Sequence, residues 1–329
     1  MRLHSIGLAA GLSVLVLSAS SCSRSQAPVE STAGPPKVRL DTDWYPEPEQ
    51  GGFYQAQVRG FYKAAGLDLT IMPGGPNTHP IVDLTSGHAQ FALAGSDDVI
   101  EQCEQGLPLL IVGAFMERYP EAVLVHNESP VHSLRDLDGK TVIAVPGAGW
   151  IALVEQTYGI KINVIPVEFE LARFMGDRNA IQQVYLTDEP YYVKRNGVVA
   201  RTLMIADAGY DPYRVIITTK HFAKEHPEVV RAFVAASVRG WKDFIEGDAS
   251  ACRATISGLN PHSTGEFFDA TVATLRSNHI VDGKKELGEK IGGFSMTRLQ
   301  HEIDLLAKIK FIRASFPAEK VATSEFLPQ

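Results

Sequence analysis

The chain has 329 residues, 45% of them hydrophobic, enough to bury a sizeable core and a length that suits two lobes better than one. Its 31 Lys and Arg against 38 Asp and Glu give a formal net charge of −7, and no segment gathers basic residues around aromatic ones, which argues against nucleic acid as a partner. The ten histidines are scattered without an HExxH pair, and Cys103 and Cys252 lack zinc-site spacing, so neither metal nor cofactor is expected.

In chain order, Arg2, an apolar run over 6–17 and small residues over 18–21 read as an export signal over 1–21. The run is shorter than the ~20 residues a transmembrane helix needs. Cys22 follows Leu17-Ser18-Ala19-Ser20-Ser21, which resembles a bacterial lipobox, and is the candidate lipidation site; a cleaved signal with unmodified Cys22 is the alternative. Residues 22–37, rich in Ser, Pro and Ala, read as a tether, with folding expected from Val38.

Ten short runs then alternate with segments of helical length: 38–44, 67–73, 91–95, 109–115, 122–126, 141–146, 162–169, 182–187, 201–207 and 213–219. This is the pattern of an α/β fold with mainly parallel sheets. Helices are expected over 96–105, with Cys103 an inert thiol on its apolar face beside Val99 and Ile100, and over 227–245, 264–278 and 297–310. Ser263 with Glu266 reads as a capping box. The extended stretches 122–127 and 213–220 are expected as crossovers. They make 38–125 with 214–329 one lobe and 126–213 an inserted second lobe, with a ligand cleft between them.

After the first run, Asp43-Trp44-Tyr45-Pro46-Glu47-Pro48-Glu49-Gln50-Gly51-Gly52-Phe53-Tyr54 leads to Gly60-Phe61-Tyr62-Lys63 and Gly66-Leu67-Asp68. With Gly95-Ser96-Asp97-Asp98 and Pro146-Gly147-Ala148-Gly149, this resembles the solute-binding family of formylaminopyrimidine-, sulfonate- and nitrate-binding proteins and the fungal thiamine pyrimidine synthase. The resemblance implies a type II periplasmic-binding-protein fold, two α/β lobes with hinge crossovers. It also implies an exported, membrane-anchored, monomeric lipoprotein at the periplasm or cell surface that hands a ligand to an ABC permease and ATPase. Glu47 and Gln50 stand where pyrimidine-binding members commonly carry Asn and His. The synthase consumes that histidine and uses a cysteine-rich iron motif; both are missing here, so no enzyme is expected.

The expected ligand is a small neutral or weakly basic heteroaromatic, such as a thiamine-precursor pyrimidine. Trp44 and Tyr45 at a strand end can sandwich a flat ring, with core packing the other reading for Tyr45. Gln50 and Tyr54 follow in the same motif. Ser96 and Asp97 open a helix and offer polar contacts or merely cap it, and carboxylates there disfavour an anion. Gly147, Gly149 and Trp150 are expected as the opposing jaw, with Glu189 and Tyr191 as further contacts; for Glu189 the other reading is charge placement at a helix start. Gly147 to Ala152 also matches GxGxxA, with Glu168 beyond it. The alternatives are thus an exported nicotinamide- or flavin-dependent oxidoreductase, or a ligand-sensing protein of the same fold.

Overall fold

The computed structural model describes residues 34–168 and 170–328; the expected export signal, Cys22 and most of the tether lie outside them. The ten runs form ten strands: β1 Lys37–Asp41, β2 Asp68–Met72, β3 Phe91–Gly95, β4 Leu109–Met116, β5 Glu121–His126, β6 Thr141–Ala144, β7 Asn163–Pro166, β8 Ile181–Tyr185, β9 Ala200–Met204 and β10 Arg214–Thr219. They build two five-stranded sheets, in the orders β2-β1-β3-β10-β4 and β7-β6-β8-β5-β9.

Each sheet is mixed, not parallel throughout. β10 runs antiparallel to β3 and β4, and β5 runs antiparallel to β8 and β9. The registers give the reason. Glu121 at the start of β5 faces Tyr185 at the end of β8, and Arg214 at the start of β10 faces Gly95 and Met116 at the ends of β3 and β4. Short crossovers therefore deliver the chain to the edge where the other strands finish, and it must run back through the sheet. The same pairing moves the expected boundary: 121–126 belongs to the second sheet, not to a first lobe ending at 125. The passages are 117–120 and 209–213, whereas 122–127 and 213–220 are mostly β5 and β10 themselves.

Arg298, on the helix Met296–Lys308, ties the two passages together. Its Nη2 donates to the carbonyls of Glu117 and Asp211 at 2.7 Å each, and its guanidinium lies 3.9 Å from the Tyr213 ring centroid. Asp211 also accepts from the Tyr119 N–H at 2.7 Å.

One apolar cluster fills the space between the first sheet and its helices, with Phe91 stacked on Phe233 at 3.8 Å between centroids. The helix Pro227–Glu246 supplies Val229, Val230, Phe233, Val234 and Trp241 to that core, as its helical spacing predicts. Glycines let it approach the helix Gly51–Val58: a Cβ on Gly52 would overlap the Trp241 indole, and one on Gly240 would overlap the Gly52 carbonyl. A second cluster runs without a break from Ile111, Val215 and Ile217 in the first sheet to Val123 and Val142 in the second and Trp150 on the helix Gly149–Tyr158. The helix Gly265–Ser277 is capped by Thr264, whose side chain accepts from the Phe267 N–H at 3.3 Å, so the cap is one residue later than the Ser263 capping box expected. Cys103 is only half-buried, donates to the Leu109 carbonyl and has its pKa raised by burial. Among the described residues no helix is long and apolar enough to cross a membrane.

Candidate functional site

The strand ends that converge at the crossovers enclose a cavity of about 170 Å³. Ligands of open α/β sheets sit beyond the carboxyl ends of the strands, and this cavity does so for both sheets. From the first sheet come Asp43 and Trp44 after β1, Phe115 and Met116 at the end of β4, and Arg214 at the start of β10. Trp44 is fixed by its backbone: its carbonyl accepts from the Thr42 hydroxyl at 3.0 Å and the Gly74 N–H at 2.9 Å. A 3-10 turn, Pro48–Gln50, then brings in Glu47, Glu49 and Gln50, with Glu47 and Gln50 closing a reciprocal capping box.

The second sheet supplies Glu121, Val145 after β6, Val167 after β7, and Gln183, Val184 and Tyr185 of β8. Asp188 and Glu189 follow at the start of the helix Glu189–Arg195. Gln183 is held on all sides: its Oε1 accepts from the Val145 N–H and the Trp150 Nε1–H at 3.1 Å each, and its Nε2 donates to Glu121 at 2.9 Å.

Carboxylates dominate the polar lining. Burial, reinforced by the charges of Glu49, Asp188 and Glu189, pushes Glu47 up to about 10. Burial first and Asp188 second raise both Glu49 and Glu189 to about 8, and burial raises Asp188 to about 6. Glu121 is also pushed up to about 8, chiefly by burial, although its bonds to Tyr119 and Gln183 oppose the shift. Burial and mutual repulsion of like charges both favour the protonated forms of this cluster. Arg214, lowered to about 10 by burial, is paired with Asp43.

Trp44, Gln50 and Glu189 line the cavity; the remaining expected site residues do not. Tyr45 is 46% exposed, its ring edge-on to Trp44 at 5.4 Å. Tyr54 is buried in the first core. Ser96 donates to Glu302 at 2.7 Å and accepts from the Tyr213 N–H at 2.8 Å, and Asp97 accepts from the Tyr210 hydroxyl at 2.5 Å, so both fasten helices rather than face the cavity. Tyr191 packs against Tyr192 and Phe267.

The expected jaw is displaced as well. Gly147 makes a turn at φ +80°, a Cβ on Gly149 would overlap the Tyr210 hydroxyl, and Trp150 is fully buried; from that loop it is Val145 that lines the cavity. This also answers the dinucleotide fingerprint, since the close approach that Gly149 permits is made by Tyr210. Sequence reasoning missed Glu49, Glu121, Gln183 and Asp188. The Glu47/Glu49 and Asp188/Glu189 pairs at strand ends were the available signal; Gln183 inside a strand offered none.

The architecture is that of the periplasmic binding proteins. The alkanesulfonate-binding protein SsuA of Xanthomonas axonopodis pv. citri superposes with a TM-score of 0.63 at 16% identity, covering 88% of this chain and 99% of that one. The chain belongs to the NMT1/THI5-like family, whose model matches residues 47–251. It is similar to the riboflavin-binding protein RibY of Chloroflexus aurantiacus, 29% identical over 63% of this chain and 62% of that one. It is likewise similar to the formylaminopyrimidine-binding protein of Halalkalibacterium halodurans, 28% identical over 65% and 68%. A pyrimidine phosphate synthase of Saccharomyces cerevisiae is 25% identical over 64% and 71%. The match thus spans a little under two thirds of the riboflavin-binding relative's length.

Proposed function

We propose that this protein is the solute-binding component of an ABC importer, exported, anchored through a lipid on Cys22, and delivering a single-ring heteroaromatic with N–H donors to a permease and ATPase. A thiamine-precursor pyrimidine is the leading ligand. The observation that carries this reading is the cavity itself. About 150 Å³ is enough for a benzene ring, so ≈ 170 Å³ suits one substituted ring and is small for a tricyclic flavin. Its apolar walls include Trp44, Phe115 and Val145.

The polar lining favours donors over anions. Arg214 is the one cation among the described lining residues, and it is tied to Asp43. A sulfonate would meet buried carboxylates instead of positive charge. The turn that carries Glu47 and Gln50 offers no imidazole, so the protein binds and does not perform the self-consuming synthase chemistry. Native mass spectrometry of protein purified from cells tests the ligand class: a retained pyrimidine is the expected result, and a retained sulfonate overturns it. Intact-mass analysis of the mature N-terminus tests the lipid on Cys22.

A further inference from the structure

The four carboxyls at one end of the cavity are more than a pyrimidine amino group needs. Glu47 is 7% and Glu49 5% exposed, and Asp188 and Glu189 reach the same space from the second sheet. Part of this acidity is locally used: Glu47 accepts from the Asn260 amide at 3.4 Å, and Glu189 from the Tyr185 N–H at 2.8 Å. Glu49 is different. Neither of its oxygens, nor the hydroxyl of neighbouring Thr187, meets a hydrogen-bond partner of full geometry.

The groups facing Glu49 are Glu47 on its own turn, Thr187 and Asp188 after β8, and Glu189 and Tyr192 on the helix that follows. None of these is a cation. Among the described residues the four carboxyls do not form a set arranged to hold a metal ion. A buried, unpartnered carboxyl facing a cavity is matched by a ligand that brings its own charge and donors.

We propose that the solute carries a positively charged nitrogen group seated among Glu47, Glu49, Asp188 and Glu189, and that Glu49 selects for that charge. The inference rests on the reading of the cavity as a heteroaromatic solute site. The ring lies in the part walled by Trp44 and Phe115, and the cationic arm, an ammonium or amidinium, replaces protons held by the cluster. Binding therefore releases protons. Its affinity falls as pH drops through the range in which Glu49 and Glu189 become protonated.

Two probes separate charge from shape: an aminopyrimidine with a –CH2NH3+ arm, and the same ring with –CH2OH. Calorimetry at pH 8 in buffers of different ionisation enthalpy is expected to show the cationic probe roughly ten- to hundredfold tighter, the range that one charge-assisted hydrogen bond supplies, together with net proton release. Glu49→Gln, checked for folding by circular dichroism, is expected to cut the ratio of cationic to neutral probe affinity at least tenfold; an unchanged ratio in the folded variant overturns the role given to Glu49. Equal or tighter binding of the neutral probe overturns the charge inference and leaves the solute site standing. Binding of a ring-free diamine without either pyrimidine supports the charge and overturns the heteroaromatic reading. No binding of any of the three overturns both.

Discussion

Trp44 and Tyr45 are neighbours in sequence with opposite surroundings, and the difference is one of backbone. The Trp44 carbonyl is held by Thr42 and Gly74 at the cavity, while the Tyr45 ring lies outside over Gly75. Trp44→Ala is expected to weaken ligand binding by about 2 kcal/mol or more, near thirtyfold. Tyr45→Ala is expected to stay within a few-fold of wild type. Calorimetry on folded variants checks both, and equal losses would contradict the placement. Trp44, Gln50 and Glu189 were legible because strand ends face clefts. Ser96, Asp97 and Trp150 lie off this cavity, because a polar or aromatic residue at a helix start serves packing equally well, and their partners Glu302, Tyr210 and Gln183 are distant in sequence.

The helices were readable wherever one apolar stripe had one sheet to cover, as in Pro227–Glu246. What the stripe did not disclose is Gly240 on the same buried face, which lies against the Gly52 carbonyl and Ala56. A methyl group there meets backbone that has nowhere to go, and overpacking of this kind costs about 1–3 kcal/mol. Gly240→Ala is therefore expected to lower denaturant stability by that amount. It should also loosen ligand binding, because the displaced helix Gly51–Val58 continues the turn that carries Glu47, Glu49 and Gln50. An unchanged midpoint would show that the two helices separate freely. The reversal of β5 and β10 was similarly invisible, since strand direction depends on which sheet edge a crossover reaches, and a strand's own residues are the same either way.

Across the whole molecule, buried carboxyls set the pH response. Glu302, Glu49 and Glu189 are each raised to about 8, burial being the largest cause, from an ordinary value of 4.5. Between those values the folded chain binds more protons than the unfolded one, so stability falls as pH rises. Their contribution is complete below pH 4.5 and is lost as pH passes through 8. The thermal midpoint of ligand-free protein is expected to decline from pH 6 to pH 9. Glu302→Gln, which can still accept from Ser96, should flatten part of the decline; a midpoint that rises with pH would contradict these environments.

One guanidinium joined to both passages has an optical consequence. Arg298 fastens the Glu117 and Asp211 carbonyls to a single helix, so an opening of the cavity about these two passages is expected to pivot there, with displacement growing with lever arm from that point. A dye pair astride 117 and 211 would report constant transfer efficiency whether solute is bound or not. A pair placed on the two rims, near Tyr45 and Val145, should register the full swing, and solute titrations followed by the two pairs should differ in amplitude, not in midpoint.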